Sequence, residues 1–228
     1  MMGGEDNFDL DNLISKLEGL RTLIVYDSPY AARSLLFYHI LPHFSFKNIF
    51  IAVHSDTMFR RLKKTCESIL RTSQEVAEIL KRAKIIKIGT KEEVSFGQLY
   101  ELISDPSWLK KLMSIFKKLG SDDFLLLHGF SIVPIIYGRK GLMDVLRLLD
   151  SIHDDVTVIS KCSEKLYDET TEKLIERFYD VVISVKKEGE FLGSEEIYTI
   201  SVTQSIVMDI RPGSGKFKIG EDWRLVEF

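Results

Sequence analysis

The chain has 228 residues, 45% of them hydrophobic and 29% charged, with a net charge of −3. That length allows a substantial buried core and one domain spanning 1–228 is expected, while acids and bases interspersed along the chain exclude a disordered polymer. The near-balanced charge argues against nucleic acid as the partner, because such binders usually carry a basic surplus.

The opening "MMGGEDNFDLDNL" is acidic and has neither the basic start nor the apolar run of a secretory signal. The most apolar window, 21–41, carries Asp27, Pro29 and Arg33 in its middle, so no membrane span is expected and the cytoplasm is the expected location. Residues 8–19 have apolar side chains at helical spacing and end in Gly19, then "TLIVYD" reads as the first buried strand. A helix is expected from Pro29, ended by Pro42. "IFIAVH" (49–54) is the second strand, 57–83 one long amphipathic stretch, and "KIIKIG" a short third strand. Two helices are expected next, "SFGQLYELIS" and "PSWLKKLMSIFKKLG", the second opened by a proline and closed by Gly120.

"FLLLHG" (124–129) is a continuous apolar run suited to a central parallel strand covered on both faces. A helix over "KGLMDVLRLLDSI", a strand "VTVIS", a helix over "TTEKLIERFY" and a strand "VVISVK" follow. Beyond residue 196 apolar and polar residues alternate around turn residues, as antiparallel strands do. The expected fold class is α/β: a mostly parallel central sheet, helices on both faces, and a C-terminal antiparallel extension.

The stretch that bears most on function is Asp27-Ser28-Pro29-Tyr30-Ala31-Ala32-Arg33-Ser34, lying between a strand and a helix. A phosphate-binding loop of pattern G-x-x-x-x-G-K-[ST] occupies that context, cradling phosphates on backbone N–H groups while Lys reaches their oxygens and Ser/Thr holds Mg²⁺. Here the length, a basic residue and a hydroxyl are kept, and every glycine is missing. With "LDNLISKLEGLRTLIVYDSP", "FLLLHGFS" and "YDVVISV", the chain resembles the RecA/KaiC-like branch of the P-loop ATPase superfamily over nearly its whole length, as an eroded, uncharacterised archaeal member. The resemblance implies a RecA-like fold and dimers or rings, so self-association or a protein partner is expected. It places Asp27 at the first loop glycine, Ala32 at the glycine before the lysine, Arg33 at the lysine and Ser34 at the metal-binding hydroxyl. It puts His128 at the Walker B aspartate, and His54 and Ser55 around the catalytic acid, with Asp56 the nearest carboxylate.

Physical chemistry points the same way. Non-glycine residues resist positive φ and hinder approach of the backbone to phosphate. An ionised Asp27 about 5 Å from a phosphate would cost about 3 kcal/mol per unit charge, against roughly 0.3–2 kcal/mol returned by a helix N-terminus. Neutral His128 cannot replace a carboxylate on Mg²⁺. The first reading is therefore a catalytically inactive binding or assembly module with no cofactor. The alternatives are a nucleotide-binding switch or weak ATPase, in which Asp27, Ser28, Tyr30, Ala32, Arg33 and Ser34 surround the anion and Asp56 orients water, and a nucleic-acid accessory protein.

Other motifs have plainer explanations. "RPGSGKF" (211–217) is a false P-loop, because its glycines are too close and a strand follows, so a hairpin turn is expected. His54 and His128 fall at strand ends and could join Asp56 and Asp27 around a transition metal, although isolated histidines there more often make hydrogen bonds. His39 and His43 are spaced i,i+4, but Pro42 is expected to break their shared face. Cys66 and Cys162 match no metal or redox spacing and are expected as buried, reduced thiols. "RRLKK" (60–64) and "LKKLMSIFKKL" (109–119) are expected as solvated helix faces. Abundant Lys, Glu and Ile beside scarce Asn and Gln suggest a thermophilic source.

Overall fold

The computed structural model describes residues 8–188 and 196–228. Helix α1 (Leu10–Ser15) starts where the Asp9 carboxylate accepts the Asn12 N–H at 3.0 Å. The chain turns through Gly19 into strand β1 (Arg21–Tyr26), the hub of the sheet. Helix α2 (Pro29–Ser34) runs on through a π-helical stretch (Leu35–Ile40) into α3 (Leu41–His43). Pro42 therefore sits inside the last turn instead of ending the helix ahead of itself, as expected from sequence. The wide turn tolerates the ring: the Leu41 N–H reaches back to the Leu36 carbonyl, five residues away, in the geometry that π-bulges use.

Strand β2 (Asn48–His54) leads to α4 (Asp56–Thr72) and α5 (Gln74–Arg82), then to β3 (Lys84–Ile88). The single amphipathic stretch read over 57–83 is thus two helices. Ser73 is extended, and its hydroxyl caps the second helix by accepting the Val76 N–H. A larger correction concerns "SFGQLYELIS", read as a helix, which contributes the edge strand β4 (Gln98–Ile103), paired parallel to β3. Phe96, Leu99 and Ile103 do repeat at helical spacing, but the run is short and hydrogen bonding to β3 decides it.

Helix α6 (Trp108–Phe116) precedes β5 (Asp123–His128). Helix α7 (Val133–Asp150) is kinked at Gly138, and β6 (Thr157–Ser163), α8 (Glu169–Glu176) and β7 (Val181–Lys187) complete the parallel part. Strands β8 (Ile197–Ser205), β9 (Gly213–Ile219) and β10 (Leu225–Glu227) form the antiparallel extension. "RPGSGKF" is no P-loop, but its glycines lie in β9 and not in a turn. The Phe8 ring packs on them, and a Cβ at Gly215 would lie 2.8 Å from it.

The sheet order is β10-β9-β8-β7-β1-β6-β5-β2-β3-β4. Helices α1 to α5 pack on one face, around Ile24, Phe37, Ile51 and Leu126, and α6 to α8 on the other, around Leu23, Leu125, Leu127 and Val158. The chain leaves β1 towards β2 across one face and leaves β6 towards β7 across the other. Their carboxyl ends therefore diverge, which opens a crevice between two adjacent strands.

Candidate anion site at the carboxyl ends of β1, β5 and β6

Only Asp27 and Ser28 separate β1 from α2, so the residues aligned with a phosphate-binding loop are already helical. Two of their N–H groups have backbone partners: Ala32 donates to the Ser28 carbonyl and Asp27 to the Val185 carbonyl. Pro29 has no N–H to offer. Asp27 is turned to the neighbouring strand, where its carboxylate accepts the Lys187 N–H at 2.9 Å. Ser34 is buried, and its hydroxyl donates to the Trp223 carbonyl at 2.5 Å. Ser28 is buried, and Tyr30 is exposed with its ring 5.1 Å below the Arg33 guanidinium. Of the six residues singled out around this loop, Ala32 and Arg33 line the crevice cavity.

The carboxylate after the second strand is also committed. Asp56 meets the buried Lys87 ammonium at 3.0 Å and accepts the Thr90 N–H and hydroxyl at 3.0 and 3.1 Å. Burial alone would raise its pKa, but the Thr90 donors and Lys87 prevail and hold it at about 2. His54 is buried edge-on to Trp108 and Phe130, with ring centroids 5.5 and 5.6 Å away, and burial lowers its pKa. His128 is kept neutral: burial first, then the charges of Lys161 and Arg61, push its pKa down to about 3. The four groups considered as a transition-metal set do not converge. Among the described residues no three His, Cys, Asp or Glu side chains come close enough to share an ion. Of the i,i+4 pair, His39 accepts the Leu225 N–H at 2.9 Å while His43 is exposed. Both cysteines are free and buried.

The crevice itself holds a cavity of about 290 Å³, bordered by Tyr26 of β1, Arg33 of α2, Arg61 and Thr65 of α4, His128 of β5 and Lys161 of β6. Three cations and no carboxylate face it. Among the described residues none of these three charged groups makes a hydrogen bond or ion pair; Arg33 lies over Tyr30 and Lys161 over Phe37. Burial, then the charge of Arg33, lowers the Lys161 pKa to about 8. Sequence reasoning found Arg33 and missed the other two. Arg61 was hidden in a basic run read as a solvated face. Lys161 did leave a signal, a lone charge in the apolar strand "VTVISKCS".

The architecture matches solved structures over almost all of the chain. A protein from a structural study of Pyrococcus horikoshii OT3 superimposes with a TM-score of 0.63 at 16% identity, covering 95% of this chain and 97% of that one. A KaiC-like protein from the same hyperthermophilic archaeon gives 0.61 at 13% identity, with 92% and 90% covered. The fold is RecA/KaiC-like. The RadB recombinase has it too, at a TM-score of 0.55 and 15% identity, with 97% and 98% covered. No protein-family model and no curated protein matches the chain. At these identities the likeness is one of fold, so the RecA/KaiC-like chain must be read from its own side chains.

Proposed function

We propose that the chain is a RecA/KaiC-like domain that binds ligands and partners without hydrolysing nucleotide. The observation that carries this reading is the commitment of the hydroxyl and the two carboxylates that stand at or beside the nucleotide-handling positions. Ser34 is held by the Trp223 carbonyl, Asp56 by Lys87 and Thr90, and Asp27 by the Lys187 N–H. A neutral imidazole, His128, stands where a hard cation would need an oxygen ligand. The test is phosphate release from ATP and GTP with Mg²⁺ or Mn²⁺. The expected rate is that of the protein-free blank, and turnover abolished by a folded Arg33→Ala variant would overturn the reading.

A nucleotide-binding switch is the second reading, favoured by Arg33 facing the cavity. It expects ATP, ADP or GTP to raise the melting temperature and Arg33→Ala to cancel the rise. Assembly, with a second copy as partner, is supported by the exposed run Ile135, Ile136 and Tyr137 on α7. Sedimentation velocity of the wild type against Ile136→Asp tests it. No helix among the described residues is long and apolar enough to cross a membrane. The cytoplasmic, thermophilic archaeal setting and the single-domain organisation are supported by composition, the Pyrococcus neighbours and the one continuous sheet.

A further inference from the structure

We infer that the cavity bordered by Arg33, Arg61 and Lys161 binds a compact, multiply charged phosphate anion in its metal-free form. The inference deepens the reading above by naming the ligand class, and it rests on the domain being a binding one.

The molecule supplies its own comparison. Two lysines are buried, and each has a carboxylate: Lys47 meets Glu18 at 2.7 Å and Lys87 meets Asp56 at 3.0 Å, while Lys161 is half-buried. Lys161 has none, and what faces it is a second cation, Arg33. Clustering unpaired cations at a partly enclosed site costs free energy that folding does not recover. A ligand bearing the missing negative charge recovers it. The cluster draws on three elements far apart in sequence, α2, α4 and β6, so no single basic run accounts for it. It stands at the crevice where the chain leaves β1 and β6 in opposite directions, the place open α/β sheets offer to ligands.

Size and charge narrow the ligand. About 290 Å³ is at the lower limit of ordinary small-molecule pockets, so a ligand of a few heavy atoms fits and a long polymer does not. Guanidinium groups favour phosphate oxygens, which they engage in a bidentate fork. A magnesium complex is disfavoured twice. The lining offers no carboxylate to the metal, and the metal's charge would both repel the three cations and cancel the charge they would bind.

Protonation adds a second signature. The groups facing Lys161 are Arg33 from α2, Arg61 and Cys66 from α4, and His128 from β5, with no carboxylate among them. Near pH 8 part of the Lys161 population is neutral, and a bound anion favours the ammonium. Lys161 then takes up a proton on binding, which offsets the proton that the pyrophosphate itself gives up among the cations.

The test is calorimetric titration of the full chain with inorganic pyrophosphate, in EDTA and in excess Mg²⁺, at pH 8 in buffers of different ionisation enthalpy. Expected are saturable binding in EDTA, at least tenfold weaker binding with Mg²⁺, and more protons taken up, or fewer released, than by Lys161→Met. Lys161→Met and Arg61→Gln should each weaken binding at least tenfold, and Lys161→Met should shift the proton count towards release. Lys81→Gln, on an exposed helix face, should bind like the wild type. Melting curves without ligand establish that each variant is folded. Equal or tighter binding with Mg²⁺, wild-type affinity in folded Lys161→Met, or loss in Lys81→Gln equal to that in Lys161→Met would overturn the inference. Mg²⁺-ATP binding more tightly than free pyrophosphate would overturn it in favour of the nucleotide switch. The phosphate-release assay separates the failures: ATP turnover refutes the non-hydrolytic reading, whereas pyrophosphate failing to bind a protein without turnover refutes only the ligand class.

Discussion

Asp56 follows the second strand, where a catalytic carboxylate was considered, and its contacts make it a structural ion-pair partner. Asp56→Ala leaves the Lys87 ammonium buried and unpaired. Because the carboxylate is partly exposed, the expected loss is about 2–3 kcal/mol, below that of a fully buried pair. Adding Lys87→Met should return part of it, and urea denaturation of the single and double variants checks both. The pH dependence has two windows. Asp56 has its pKa depressed to about 2, so its contribution is present above the ordinary carboxylate range near 4 and is lost as pH falls through 2. The shift corresponds to an effect on the order of 2 kcal/mol. His128 stays neutral in the folded chain down to about pH 3, while the unfolded chain takes up a proton below about 6.5. Stability therefore falls on acidification from 6.5 downwards, with His54 and His39 contributing in the same direction. His128→Gln should flatten the decline between pH 6.5 and 5. An unchanged slope in urea titrations across that range would refute the assignment.

At the scale of elements, the boundaries that sequence patterning missed are set by contacts it does not contain. Gly97 turns the chain into β4 with φ 69°, and a Cβ there would lie 2.5 Å from the Ala83 carbonyl oxygen. Gly97→Ala should cost about 2 kcal/mol or more, by strain and by disturbing the Gln98 N–H bond to that carbonyl. The loss should appear in thermal melts and as faster amide exchange across β4. Ser73→Ala should cost about 1 kcal/mol through the lost cap of α5. Ser73 interrupts a stretch read as one long amphipathic run, and Gly97 lies in one read as a helix. Periodicity reports which face is buried, and over a short run it does not distinguish an edge strand from a helix. Pro42 shows the complementary limit, since its local preference to end a helix yielded to a π-helical turn held between α2 and α3.

For the molecule as a whole, stability should be graded across the sheet. Strands β1, β6 and β5 are flanked on both edges and covered on both faces, whereas β4 and β10 are its edges. Hydrogen exchange should be slowest in β1, β5 and β6 and fastest at the two edges, and uniform protection would contradict this order. The architecture was legible because apolar runs such as "TLIVY", "IFIAVH" and "FLLLHG" can be buried only as strands of a covered sheet, alternating with helices that cover it. Such patterns are local, and the chain carries them residue by residue. The loss of glycines around Arg33 was equally legible. What tertiary structure alone decided is where the polar groups point. It gave Ser34 to the Trp223 carbonyl and Asp56 to Lys87, and it brought Arg61 and Lys161, one hundred residues apart in number, to the same cavity as Arg33. Burial and charge pairing act through space, so a cation cluster assembled from two helices and a strand exists only once the sheet has set their distances.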